Sequence, residues 1–267
     1  MAVKKRVAIF GSKGVLGNSL CAEFMHPDIE IIKINRTDIQ DIISYANISE
    51  LLLNTQADVV FNCIAMNGVN KCCIDKAQAF AINALFPSIV LQACNQLGSR
   101  FIHFSTEMVF SNSVDLIPST TTPNPKTIYG ITKFFGEHKV DSKATLIRLP
   151  LLLGKSENQQ IVWKLTTKLA GGDYVKVASD LISSPVYVED VSSTIREILL
   201  ENSIPHGIIH FSSGNRESLL ETVRKFADSL GVSSNNLISC NAADYPSLED
   251  KPLRLGLAPS HTFSLLK

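Results

Sequence analysis

The sequence predicts an α/β fold built on a doubly wound parallel sheet, and three observations carry that prediction. Short apolar runs recur at 7–10, 29–34, 59–64, 101–104, 145–149 and 208–211. They are too short for helices, and their apolar character is that of strands buried on both faces of a parallel sheet. Amphipathic stretches alternate with them at 16–25, 77–97, 129–141, 188–200 and 216–230, and β/α alternation of this kind places helices on both faces of one sheet. The first run leads without a break into a glycine-rich turn and a helix start, VAIFGSKGVLG.

The boundaries follow from local chemistry. Gly98 stops the second helix and Gly231 closes the last one, because glycine adopts the left-handed cap at little cost. Residues 111–127, SNSVDLIPSTTTPNPKT, form a long polar loop ahead of the helix that starts at Tyr129, and long loops inside compact domains are often functional. The tail past residue 231 is polar and carries Pro246, Pro252 and Pro259. The expected organisation is a dinucleotide-binding domain over 1–150, to which 186–212 return as sheet and helix. A small C-terminal substrate-binding lobe takes 151–185 and 213–267.

Composition excludes several function classes. The chain has 267 residues, 45% hydrophobic, with 25 basic and 25 acidic side chains, so a nucleic-acid footprint is not expected. The first ten residues lack the apolar core of a secretory signal, and no uncharged apolar run reaches the roughly 18 residues of a membrane span. A cytoplasmic protein without membrane attachment is expected. Six cysteines are scattered without metal-ligand spacing, and Cys72-Cys73 are adjacent; reduced, packing thiols are expected. His26, His103, His138, His206, His210 and His261 show no metal spacing, so no metal is predicted. Trp163 is expected to pack the second lobe.

Gly11, Gly14 and Gly17 follow a GxxGxxG pattern. The first allows the turn, the second admits a pyrophosphate close to backbone, and the third brings helix against sheet. The diphosphate then faces a helix N-terminus, whose free N–H groups and dipole favour anions. A Rossmann-type dinucleotide site is therefore expected. Where an acidic residue would take the ribose 2′-hydroxyl of NAD, the second strand ends in Asn35-Arg36. A guanidinium there, with Lys13, suits the 2′-phosphate of NADP(H); NAD(H) stays open as the other cofactor.

The strand FIHF ends in Ser105-Thr106, and YGITK follows at 129–133. Positions i and i+4 share a helix face, so Tyr129 and Lys133 point into one space. A nearby ammonium is expected to lower the tyrosine pKa toward the range acid/base catalysis needs. Thr106, at the C-terminal edge of a strand, is placed to hydrogen-bond the reacting oxygen.

These motifs together resemble the extended short-chain dehydrogenase/reductases, in particular the dTDP-4-dehydrorhamnose reductase family. The likeness is carried by GSKGVLG at 11–17, Asp38-Ile39, NCIA at 62–65, Asn83, STEMVF at 105–110, YGITK followed by FFGE, Ile147-Arg148-Leu149, SSPVYVEDV at 183–191, and Lys251-Pro252. The resemblance implies reduction of a 4-keto-6-deoxy sugar nucleotide by NAD(P)H, with Thr106, Tyr129 and Lys133 as the triad. It implies cofactor contacts at Gly11, Gly14, Val15, Leu16, Gly17, Arg36, Asp38, Ile39, Cys63, Ile64 and Ala65, besides Tyr129 and Lys133. Substrate contacts are expected from Glu107, with Arg148 and Arg254 as forked partners of the substrate diphosphate. The partner is a small-molecule nucleotide sugar, and a homodimer is an arrangement the family allows.

Departures from the family pattern cluster where the sugar would be gripped. The usual STD reads Ser105-Thr106-Glu107, the run at 69–73 is VNKCC without carboxylates, no aromatic follows Arg148, and the C-terminal motif reads KPLRLGLA. Two further readings therefore stay open. One is an NAD-recycling sugar-nucleotide epimerase or dehydratase. The other is a cofactor-binding regulatory subunit resembling the β subunit of methionine adenosyltransferase, against which the intact Thr106, Tyr129 and Lys133 speak.

Overall fold

The structure, a computed structural model, describes residues 4–137, 144–154 and 160–260. His138, His261 and the end of the helix expected at 129–141 lie outside them. The first half runs β1 (Lys5–Phe10), α1 (Val15–Glu23), β2 (Ile29–Ile34), α2 (Tyr45–Thr55), β3 (Val59–Asn62), α3 (Val69–Ile74), α4 (Lys76–Phe80), α5 (Phe86–Leu97) and β4 (Arg100–Thr106). It continues with α6 (Ile128–Glu137), β5 (Thr145–Leu149), β6 (Leu152–Leu153), α7 (Ile161–Ala170), β7 (Val175–Ala178), β8 (Ile182–Ser183) and β9 (Val186–Tyr187). The chain closes with α8 (Val188–Leu200), β10 (Gly207–His210), β11 (Glu217–Ser218), α9 (Leu219–Ser229) and β12 (Leu237–Cys240).

Six strands pair in parallel in the order β2-β1-β3-β4-β5-β10. This is the doubly wound, Rossmann-type sheet. Side chains alternate across β1: Val7 and Ile9 join Leu16, Leu20, Val191 and Ile195 on one face, whereas Ala8 and Phe10 join Ile48, Leu52, Phe86 and Val90 on the other. That two-residue period is what a strand buried on both sides requires. A separate apolar cluster gathers Leu153, Val162, Leu169, Val175, Val177, Leu219, Val223 and Phe226 from β6, α7, β7 and α9. Trp163 packs against it, edge-on to Phe226 with ring centroids 6.3 Å apart.

Some local signals placed element ends differently from the sequence pattern. The last long helix begins at Leu219, not near 216, because Ser218 and Glu221 form a reciprocal capping box there. The helix Lys76–Leu97, 22 residues, is long and apolar enough by length and composition to cross a membrane, and half of its most apolar 18-residue window is buried inside the protein. It is interrupted by a π-helical turn at Ala81–Leu85. Such turns often mark functional sites. Here the turn carries Asn83, whose Oδ1 accepts from the Met66 N–H at 2.8 Å while its Nδ2 donates to the Met66 carbonyl and to Thr132 Oγ1. Asn83 thereby ties the segment after β3 to the helix that carries Tyr129. All six cysteines are free thiols, and Cys72 donates to the Met66 carbonyl at 3.2 Å.

Candidate active site

Strand order reverses between β1 and β3, since β1 is followed by β2 on one side and by β3 on the other. Ligands in open α/β sheets bind in the crevice at such a point. Here it opens into a cleft of about 810 Å³. Its near end is the glycine turn. Gly11 sits at φ +82°, and a Cβ on Gly17 would lie 2.2 Å from the Gly11 carbonyl oxygen. Gly17 is therefore needed for helix to approach turn, and it does not itself line the cleft. Gly14 is the N-cap of α1 without any side-chain cap, so the first N–H groups of the helix are left to a ligand.

Lys13, Val15, Leu16, Asn35, Arg36, Thr37, Cys63, Ile64 and Ala65 continue the wall. Two expected contacts fall outside it. The Asp38 carboxylate is turned onto its own loop, accepting from the Asn35 backbone N–H at 2.7 Å. Ile39 is 4% exposed and packs in the sheet–helix core. Both close the turn that presents Arg36, and Arg36 itself is exposed, with one donor 3.3 Å from the Ile39 carbonyl.

The cleft also brings together Thr106, Tyr129 and Lys133. Thr106 ends β4 and its side chain caps the following turn by accepting from the Met108 N–H at 3.2 Å. The start of α6 is fixed by Glu249, whose carboxylate oxygens accept from the Ile128 N–H at 3.1 Å. A Cβ on Gly130 would lie 2.2 Å from the Met108 carbonyl oxygen; glycine here lets α6 lean onto the turn after Thr106. Lys133 is buried and donates to the Phe104 carbonyl at 2.6 Å, with His103 Nε2 at 3.4 Å.

The electrostatics correct one expectation. Burial pushes the Tyr129 hydroxyl up to about 12, opposed by its hydrogen bond with Thr106 and reinforced by Cys72 and Glu107. The lysine does not bring it down. Lys133 is held by the Phe104 carbonyl, and its own pKa falls to about 8 because its ammonium is desolvated, with Glu137 pulling the other way.

At the far end the wall becomes apolar, through Leu149, Leu151, Leu152, Ile161, Leu181, Ile182, Leu219 and Leu255, with Glu107, Gln160, Ser183 and Lys251 among them. Arg148 is not there. Its guanidinium is buried, bonded to both oxygens of Glu137 at 3.0 and 2.8 Å and lying 5.0 Å over the Phe110 ring. The expectation that it holds a substrate diphosphate is thus corrected: its charge is already neutralised in the core. Arg254 is exposed and does not line the cleft, so it too is corrected. Asn67 and Gln160 line the site without belonging to any motif the sequence marks, and Asn35, Ser183 and Lys251 line it from motifs that give them no site role. Asn67 Oδ1 lies 3.5 Å from the Tyr129 hydroxyl.

Glu107 is 6% exposed. Its Oε1 accepts from Ser183 Oγ at 2.6 Å, and its Oε2 has no partner among the described residues. Burial lifts its carboxyl to about 7, against the Ser183 hydrogen bond. A carboxyl raised above its unfolded value binds its proton more tightly in the folded chain. Its contribution to stability is therefore complete below about pH 4.5 and lost as pH rises through about 7. Glu107→Gln, which cannot ionise, should gain on wild type between about pH 5 and about pH 8 by up to roughly 3 kcal/mol. Urea unfolding at the two pH values measures this; an equal difference at both would mean the carboxyl is ionised throughout.

A parallel sheet with a glycine turn at its switch point, and Thr, Tyr and Lys gathered above β4, defines an extended short-chain dehydrogenase/reductase. Residues 5–261 match the family described as RmlD substrate binding domain, and the chain belongs to that family. The Bacillus subtilis (strain 168) spore coat polysaccharide biosynthesis protein SpsK is 25% identical over 92% of this chain and 87% of its own. The dTDP-4-dehydrorhamnose reductase of Mycolicibacterium smegmatis is 25% identical over 93% of this chain and 76% of its own. Among solved structures, the Bacillus anthracis dTDP-4-dehydrorhamnose reductase in complex with NADP superposes with a TM-score of 0.88 at 23% identity, covering 97% of this chain and 92% of that one.

Proposed function

We propose that the protein is an NADP(H)-dependent reductase of the 4-keto group of a nucleotide-activated deoxysugar, of the dTDP-4-dehydrorhamnose reductase kind. The observation that carries this reading is the convergence of Thr106, Tyr129 and Lys133 on the cleft that the glycine turn opens. The residues present fit a dinucleotide. Gly11 and Gly14 line the cleft, Gly17 lets α1 close onto the turn, and the uncapped N-terminus of α1 faces the opening. Arg36 and Lys13 flank the adenosine end, where a 2′-phosphate finds both cations. When bound, NADPH supplies the reducing equivalents.

The protein's part is position and proton. Tyr129 carries its proton at neutral pH and gives it to the ketone oxygen as negative charge develops there. Thr106 aligns and polarises that oxygen, stabilising charge where it appears. Lys133, anchored by the Phe104 carbonyl, holds the nicotinamide ribose. Glu107 binds the sugar beside the reacting carbon. The described residues of 151–185 and 213–267 serve as the substrate-binding lobe, and the enzyme works in the cytoplasm on a small-molecule substrate. The test is NADPH absorbance with a panel of 4-keto-6-deoxy sugar nucleotides, repeated with NADH. Oxidation is expected with one of them and faster with NADPH; tight cofactor binding with no oxidation across the panel would refute the reductase.

A further inference from the structure

Buried polar atoms nearly always find a partner, because leaving one unpaired costs its desolvation. Ser105 Oγ, Glu107 Oε2 and Gln160 Oε1 are buried, lack a hydrogen-bond partner among the described residues, and belong to residues that line this one cleft. Ser105 adjoins Thr106, and Glu107 already has a place in the proposed reaction. Gln160 has none.

Among the described residues, nothing in its local setting explains a glutamine at this position. It occupies the N-cap of α7, yet its side chain makes no capping hydrogen bond, and glutamine is not among the side chains favoured at N-caps. Its backbone does the local work, the carbonyl accepting from the Lys164 N–H at 3.1 Å. The residue is 8% exposed. Its carboxamide lies over Gly154, where an added Cβ would come 3.5 Å from Oε1. Leu151, Leu152 and Ile161 line the same cleft. A neutral amide among aliphatic side chains is matched by a neutral group that can both give and accept a hydrogen bond. A ring hydroxyl is such a group; a phosphate, which needs cations, is not.

We propose that Gln160 is a specificity-determining residue of the reductase, its carboxamide hydrogen-bonding one hydroxyl of the substrate's sugar ring. This rests on the proposed function and goes beyond it by naming the group that reads the sugar from α7. Sites built to pair a substrate hydroxyl reject analogues that lack it far more strongly than apolar pockets reject shape changes.

The test uses equilibrium binding, so it does not depend on turnover. dTDP-rhamnose, the alcohol side of the reaction, is titrated calorimetrically into full-length protein saturated with NADP+, for wild type, Gln160→Leu and Gln160→Met. Both variants are expected to lose about 10- to 100-fold in affinity, the loss of one buried hydrogen bond with its partner left unpaired. Cofactor affinity and melting temperature should hold or rise, because the free protein has no bond at Oε1 to lose. The penalty should vanish against a ring-deoxy analogue lacking the matched hydroxyl. Unchanged dTDP-rhamnose affinity overturns the proposal, and so does a loss of melting temperature and cofactor binding in both variants, which would make Gln160 structural. Wild-type binding without NADPH oxidation would refute the reductase alone and leave Gln160 tested. Wild type that fails to bind dTDP-rhamnose but oxidises NADPH with another sugar of the panel is titrated with that sugar's alcohol under the same criteria, and failure to bind or reduce any of them overturns both.

Discussion

Tyr129→Phe is expected to lower turnover by about 100- to 10,000-fold, the range over which a positioned general acid contributes, while leaving NADPH affinity and melting temperature near wild type. The substitution removes one oxygen and keeps the ring. Burial holds that hydroxyl's pKa at about 12 in the free protein, so at neutral pH it is a loaded proton donor. Its loss removes the hydrogen bond with Thr106 and the 3.5 Å contact with Asn67 Oδ1, neither of which holds an element in place. The measurement is kcat and kcat/KM on the sugar nucleotide that wild type reduces, beside a cofactor titration of both proteins. Equal fractional losses in kcat and kcat/KM identify an interaction made only in the transition state. Retention of wild-type kcat would remove Tyr129 from the reaction and return the site to binding alone.

The sheet was legible because burial on both faces leaves a simple trace. All six sheet strands fall on the short apolar runs, and the charges within IEIIKI of β2, Glu30 and Lys33, are exposed at the edge of the sheet. The helix over 188–200 was legible to its ends because its apolar face, Val188, Val191, Ile195 and Leu199, is regular. The elements that escaped include two ordinary helices, α2 and α7, of eleven and ten residues, besides those whose signal is local or weak. Among the described residues β7 and β12 pair with each other alone, and α3, at six residues, is too short to show a period. The π-helical turn, AINAL, is as apolar as the helix on either side and so reads in sequence as plain helix. It exists because Asn83 satisfies three hydrogen bonds at once, and a tertiary demand of that kind is invisible in spacing.

The site divides the same way. Glycine turn and YxxxK are written in fixed spacing, since backbone geometry at a pyrophosphate and one helix face impose it, and the structure brings Gly11, Gly14, Thr106, Tyr129 and Lys133 to one cleft. The sugar end obeys no such rule. Glu107, Gln160, Ser183 and Lys251 arrive from four distant parts of the chain, so only folding shows them as neighbours. A charged letter in the sequence also says nothing of whether its charge is spent, and Arg148 illustrates the point.

Arg148→Met is expected to destabilise the protein by about 3–5 kcal/mol, the cost of leaving a buried partner charge unpaired. Arg148 and Glu137 side chains are 2% and 3% exposed and meet through two hydrogen bonds. The pair joins β5 to the last described turn of α6, the helix that carries Tyr129, and His210 Nε2 lies 3.3 Å from the same guanidinium. Met keeps much of the volume and removes the charge, so Glu137 would be stranded. For a chain of this size the melting temperature should fall on the order of 10 °C. The double variant Arg148→Met with Glu137→Leu should recover much of that loss, because an apolar pair of similar volume often replaces a buried ion pair at little cost. Thermal melts of wild type, both single variants and the double variant complete the cycle. A substrate-binding arginine predicts the reverse: melting unchanged in every variant, with KM raised and no recovery in the double. The two outcomes are far enough apart that melting curves alone decide between a core clamp on the catalytic helix and a diphosphate ligand.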